Sequence, residues 1–147
     1  MKTVLLCFFG LLFYLVPLSA DDEVYEFRGN HLMVDYLDCD VEALSDEQAL
    51  MGVMLEAVQK CGAQVLGCNS YVFPGHGLTM TVLLSESHAS IHTYPEHGKC
   101  FVDIFTCGNK CNNHIFNEVL KDYLKPKNAV AMVLVRDDMI TELKNDL

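Results

Sequence analysis

Residues 85–96 read Ser-Glu-Ser-His-Ala-Ser-Ile-His-Thr-Tyr-Pro-Glu. They place serines, histidines and carboxylates around one Glu86–Ser87 bond. A hydroxyl beside a backbone carbonyl, with imidazoles in reach, is what a self-cleaving peptide bond needs. The Ser87 oxygen would attack the Glu86 carbonyl and convert the amide to an ester. A base would then remove the Ser87 α-proton, the ester would be eliminated, and hydrolysis would leave a pyruvoyl group at the new N-terminus. Histidine suits such steps because its pKa lies near neutrality. On residue types alone, the same stretch also describes a solvated turn after a strand.

The wording of the motif decides between these two readings. Glu86-Ser87-His88-x-Ser90-Ile91-His92-Thr93-Tyr94-Pro95-Glu96, followed by Val102-Asp103-Ile104-Phe105-Thr106-Cys107-Gly108, resembles the small prokaryotic type of S-adenosylmethionine decarboxylase proenzyme. The resemblance runs from about His31 to about Arg136. It implies cleavage between Glu86 and Ser87 into a 21–86 β chain and an 87–147 α chain, with Ser87 becoming the covalent pyruvoyl cofactor. That group would form a Schiff base with the amine of S-adenosylmethionine and take up the electrons released with carbon dioxide. The product would be the aminopropyl donor for spermidine.

The resemblance also assigns roles residue by residue. His92 matches the histidine that assists processing, and Cys107 the thiol that returns a proton to the substrate carbon. Phe73 matches the aromatic that stacks on adenine, and Glu96 the carboxylate that binds the ribose hydroxyls. Thr79 stands where the family has a serine that supports processing, so the hydroxyl is kept. Met80 replaces a glycine, and His97, Lys99 and Cys100 depart from the family pattern near the expected substrate pocket. Such changes leave open a related decarboxylase acting on arginine or ornithine, or a catalytically inactive secreted relative. A zinc module built from His88, His92, His97, Cys100, Cys107 and Cys111 is a rival of another class. No spacing of zinc-finger type supports it, so no metal is expected.

The surrounding chain must hold these residues in place. After Gly29 the pattern predicts a strand over 31–37. Ser45, three before Gln48, has the form of a capping box. It introduces a helix with Leu50, Met51, Met54, Ala57, Val58 and Cys61 on one face, closed by Gly62. Apolar runs over 64–73, 78–86, 88–94 and 99–107 predict four strands, with turns at Pro74-Gly75-His76-Gly77 and Pro95-Glu96-His97-Gly98. Asn112 or Asn113 caps a second helix bearing Ile115, Phe116, Val119, Leu120 and Tyr123. Pro126 ends it, and 130–135 forms a last strand.

Consecutive strands between two helices predict an α+β fold: one mostly antiparallel sheet with both helices on one face. The other sheet face would be apolar and bare, so a homodimer is expected. The resemblance implies the same, a four-layer αββα sandwich of two processed protomers.

At 147 residues, 51% hydrophobic and 20% charged, the chain is one domain over 21–147 behind an N-terminal leader. A formal charge of −10 argues against nucleic acid as a partner. Residues 1–20 carry one lysine, an apolar run and a small residue before Asp21-Asp22-Glu23, the pattern of a signal peptide. An uncleaved membrane anchor is the alternative, although the run is short for a span of ~20 residues. The leader therefore predicts an exported or membrane-tethered protein, whereas the resemblance alone implies a cytoplasmic one. Loss of Cys7 with the leader would leave Cys39, Cys61, Cys68, Cys100, Cys107 and Cys111. An even count permits disulfides in an exported chain, but the spacing dictates no pairing.

Overall fold

The computed structural model describes residues 27–137. The leader expected over 1–20 and the tail beyond Asp137 lie outside them. Six strands, β1 (Gly29–Leu37), β2 (Val65–Val72), β3 (Leu78–Leu84), β4 (Ser87–Tyr94), β5 (Lys99–Cys107) and β6 (Asn128–Arg136), form one sheet in the order β2-β3-β4-β5-β1-β6. Every pairing is antiparallel. Three helices, α1 (Val41–Ser45), α2 (Glu47–Cys61) and α3 (Asn113–Leu124), complete the fold. Among the described residues, no helix is long and apolar enough to cross a membrane.

Alternation along the strands sorts the side chains onto two faces. Leu32, Val34, Tyr36, Leu78, Met80, Val82, Ala89, Ile91, Cys100, Val102 and Ile104 are buried against the helices. From above they meet Leu44, Leu50, Met54, Ala57, Val58, Phe116, Leu120 and Leu124. Burial of Leu- and Met-sized side chains is worth about 1.5–3 kcal/mol each, so this one interface stabilises the fold. The opposite face carries Thr79, Leu83, His88, Ser90, His92, Phe101, Asp103, Phe105 and Cys107. No helix covers it among the described residues, and Leu83 is 57% and Phe101 45% exposed.

The α+β sheet with its helices on one face is as expected, with one local correction. Ser45 does not cap the long helix. Its Oγ instead donates to the Val41 carbonyl inside α1 at 2.8 Å. Asp46 is the cap of α2, its carboxylate accepting from the Ala49 N–H at 3.0 Å. Asp40 caps α1 by accepting from the N–H groups of Glu42 and Ala43. A carboxylate is a charge-assisted acceptor at a helix start, and the two aspartates split the segment into two helices. At the far end, Gly62 with φ +98° closes α2 in the left-handed form. Asn112 is the cap of α3, accepting from the His114 N–H at 3.1 Å.

Candidate active site

The β3–β4 hairpin holds the Glu86–Ser87 bond from several sides. The Glu86 carboxylate accepts from the Gln64 N–H at 2.9 Å. Its carbonyl oxygen accepts from the Cys107 N–H at 3.0 Å. Ser87 has φ +155°, outside the basins an L-residue ordinarily occupies. A conformation of this kind costs about 1–3 kcal/mol and persists only where its surroundings fix it. The Ser87 hydroxyl lies 3.1 Å from His88 Nδ1. Ser87 pairs in register with Thr106, which puts Cys107 one residue along β5 from the reacting hydroxyl's neighbour.

His88 is backed by a network that sequence reading missed. Its Nε2 is 3.5 Å from Asp103 Oδ2, and His31 Nε2 is 3.2 Å from the same oxygen. Ser90 donates its hydroxyl to the other Asp103 oxygen. The rings of His31 and His88 both lie against Phe105. Asp103 and His31 are 72 residues apart in sequence and meet only because β1 and β5 are neighbours. The signal in the sequence was period-two alternation, since His88, Ser90 and Asp103 all fall on the uncovered face. In the tautomer that carries its proton on Nε2, on the side of Asp103, His88 has Nδ1 to accept the Ser87 proton.

The remaining expected residues gather at the other end of β4. Phe73, His92, Tyr94 and Glu96 line a cavity of about 380 Å³ together with the Pro74–Gly77 turn. The His92 ring is 5.6 Å from that of Phe73 and 4.6 Å from that of Tyr94. Thr79 is the direct cross-strand partner of His92. A groove of about 440 Å³ runs from this end past Thr79, His92 and Phe101 to Asp103 and His31. Within one protomer, therefore, Ser87, Glu86 and Cys107 come together, and Phe73, Thr79, His92 and Glu96 come together. The two groups do not meet. Five residues of strand separate Ser87 from His92, roughly 17 Å at about 3.3 Å per residue.

Three of the unusual positions prove not to line the cavity. Met80 is fully buried on the helix side, so the side chain that replaces a glycine points away from the uncovered face. Cys100 is also fully buried there. His97 projects to solvent from the turn after β4, 4.0 Å from Glu96. The six residues weighed as zinc ligands are scattered, with Cys100 under the helices and Cys111 beside the end of α2. Only His88 joins a cluster able to hold a cation, with His31 and Asp103 as its neighbours.

Comparison with known proteins agrees with this fold. A family model described as S-adenosylmethionine decarboxylase matches residues 30–137. The S-adenosylmethionine decarboxylase proenzyme of Brevibacillus brevis is 42% identical over 112 residues, covering 76% of this chain and 84% of that protein. The proenzyme of Methanococcus aeolicus is 35% identical over 112 residues, 76% of this chain and 96% of the relative. Among solved structures, the adenosylmethionine decarboxylase of Aquifex aeolicus superposes with a TM-score of 0.72 at 30% identity. That match covers 80% of this chain and 97% of the other.

Proposed function

The chain belongs to the S-adenosylmethionine decarboxylase family of enzymes, and from that premise we propose that it cuts itself between Glu86 and Ser87 and then decarboxylates S-adenosylmethionine. The observation that carries the reading is the state of the scissile bond. A strained serine with an imidazole at 3.1 Å follows a carbonyl already held by a backbone N–H. As Ser87 Oγ adds to the Glu86 carbonyl, negative charge grows on an oxygen that the Cys107 N–H already contacts. A preorganised donor at that position stabilises the developing oxyanion. His88 accepts the hydroxyl proton, with Asp103 steadying the imidazolium. The amide nitrogen leaves as an amine, so the Ser87 φ is released from its strained value.

The residues present fit the pyruvoyl group that would follow. Elimination of the ester frees the Glu86 carboxylate, and water then replaces the nitrogen of the former Ser87, releasing ammonia. Once formed, a pyruvoyl group supplies a ketone that condenses with the substrate amine and withdraws electrons from the bond to the carboxylate. Cys107, on the strand beside Ser87, would give a proton to the substrate carbon. Phe73 offers a ring face to adenine and to the sulfonium, and Glu96 offers two oxygens to the ribose hydroxyls. Because Met80 and Cys100 turn into the core, the pocket keeps the features that suit an adenosyl substrate.

We infer a homodimer from the separation of the two groups. The bare face presents Leu83, Phe101, Met132 and Leu134 as exposed apolar surface. Packing two such faces about a two-fold axis buries that surface, as the four-layer sandwich requires. An antiparallel arrangement sets the Ser87 end of one protomer opposite the His92 end of its partner. His92 of the partner subunit then serves the steps that follow ester formation, and the aminopropyl product is released for spermidine synthesis.

Mass spectrometry of the purified chain tests the reading directly. Two fragments meeting after Glu86, the second with a ketone at its N-terminus that reacts with hydroxylamine, are expected. Carbon dioxide release from carboxyl-labelled S-adenosylmethionine should accompany them. A chain that stays intact on prolonged incubation would refute it.

A further inference from the structure

Four of the six cysteines that follow the leader stand in two facing pairs. Cys39 lies just beyond β1, where Asp38 with φ +55° turns the chain back. Its N–H donates to the Gly98 carbonyl at 2.8 Å, two residues before Cys100. Cys39 and Cys100 are both buried, Cys100 completely, and each thiol shifts the titration of the other, Cys39 downward and Cys100 upward. The second pair sits at the end of α2. The Cys61 carbonyl accepts from the Asn112 N–H at 2.8 Å. A Cβ on the adjacent Gly62 would come within 3.9 Å of the Cys111 Cα, so the two stretches are in van der Waals contact. The Cys61 thiol donates to the Val58 carbonyl at 3.1 Å, and the Cys61 and Cys111 thiols influence each other's titration.

A disulfide requires two side chains that converge, with Cβ atoms about 3.5–4.5 Å apart. The backbone contacts at Cys39–Gly98 and Cys61–Asn112, with Gly62 against Cys111, set both pairs of side chains close together. We propose that Cys39–Cys100 and Cys61–Cys111 are disulfide sites, closed in an oxidising compartment while Cys107 stays a free thiol. Cys39 and Cys61 precede the Glu86–Ser87 bond, and Cys100 and Cys111 follow it. Each bridge therefore ties the two fragments together after cleavage, a consequence that rests on the self-cleavage proposed above. Without a bridge, the fragments are held by strand pairing and core packing alone, and a separated fragment must find its mate by diffusion. A covalent tether makes that re-association intramolecular. An exported, dilute enzyme gains most from such a tether.

The chemistry balances by thiol–disulfide exchange with a small disulfide such as oxidised glutathione. Within the first pair, the neighbouring Cys100 holds the Cys39 thiol below its usual range, so Cys39 is the first to attack. One sulfur of the oxidant bonds to Cys39 and the other leaves as a thiol. Cys100 then displaces the second, losing its proton. Two protons and two electrons pass from the pair to the oxidant, which departs as two thiols. Burial raises both Cys61 and Cys111, the latter to about 11, so the second pair reacts more slowly. Cys39 keeps a little exposure and Cys100 none, so the oxidant meets Cys39 first and Cys100 acts only on the mixed disulfide.

Synthesis of the full chain in a cell-free system containing reduced and oxidised glutathione provides the test. Under denaturing conditions without reductant, one species with the mass of both fragments is expected. With reductant it should resolve into two. Peptide mapping after alkylation should recover the 39–100 and 61–111 cross-links, with Cys68 and Cys107 alkylated. Either single variant, Cys39→Ser or Cys61→Ser, should keep the fragments joined, and the double variant should release them. Complete alkylation of all six thiols, or cross-links of any other pairing, would overturn the proposal. If the chain stays uncut in reductant, the cleavage reading fails instead, and the peptide map still decides the pairing.

Discussion

The two ends of β4 carry the same residue types and do different work. At the first end, Ser87 is strained, its hydroxyl meets an imidazole, and the carbonyl before it is pinned by a neighbouring strand. At the second end, His92 lies among the rings of Phe73 and Tyr94 beside an open cavity. His88 is held by a carboxylate, whereas the described partners of His92 are aromatic rings. One imidazole is thus poised by charge, the other by shape. On the proposed reading, bond-breaking chemistry starts at the Ser87 end, while the His92 end lines the substrate cavity and joins processing across the dimer. The two ends lie roughly 17 Å apart at about 3.3 Å per residue, so the proposal brings them together from two protomers.

The sharpest way to break this comparison is to remove the reacting hydroxyl. Ser87→Ala should abolish cleavage, leaving one band on a reducing gel after days and no decarboxylation. Any residual cut after Glu86 in that variant would show that the Ser87 hydroxyl is not what breaks the bond.

Next in size is a pair of losses, the second of which should be repaired by mixing. Cys107→Ala should cleave normally yet turn over roughly 10²–10⁴-fold more slowly, the usual worth of general acid–base catalysis. His92→Ala should process slowly by a similar factor. Co-expression of His92→Ala with Ser87→Ala should restore cleavage in mixed dimers, since each Ser87 of the first chain would face an intact His92 of the partner subunit. Failure of the mixture to exceed either variant alone would mean that the ends do not meet across the dimer.

Exchange of the two histidines sharpens the contrast further. His88→Asn should slow cleavage about 10²-fold through loss of the proton acceptor. Asp103→Asn should slow it less, because the imidazole would lose the carboxylate that holds it in place. An unchanged rate of cleavage in Asp103→Asn would remove Asp103 from the network and leave it a structural residue.

These roles were unevenly legible in the sequence. Local patterns were readable: β5 begins at Lys99 and ends at Cys107 as the apolar alternation predicted, and Asn112 caps α3. The capping box at Ser45 misled because two aspartates outcompete one serine for the helix-start N–H groups. The motif around Ser87 supplied the candidate residues but not their grouping. Asp103 meets His31, and Cys39 meets Cys100, through contacts far apart in sequence, and no spacing rule encodes such contacts. Likewise, the apolar run over 130–135 reads as a last strand, but nothing in it placed that strand at the sheet edge, with Val130 65% exposed. Apolarity marks a strand that gains from being covered; it does not record by what.

The smallest expected effect belongs to Glu96, and it separates recognition from cleavage most cleanly. Glu96 lies in the turn after β4, its side chain 59% exposed on the rim of the cavity that holds His92. Nothing places it near Ser87, so Glu96→Gln should leave the rate and extent of cleavage unchanged. Its effect should fall on substrate binding, where a carboxylate accepting from two ribose hydroxyls is replaced by a neutral amide. Hydrogen bonds to a charged group are worth about 1.5–3 kcal/mol, and an exposed rim position places the loss at the lower end. A KM raised roughly tenfold, with kcat nearly constant, is the signature of lost uniform binding. Deoxygenated ribose analogues of the substrate should show the same penalty with the wild type and almost none with Glu96→Gln. If Glu96→Gln instead slowed cleavage, Glu96 would share the processing role proposed for His92, and its assignment to substrate binding alone would fail.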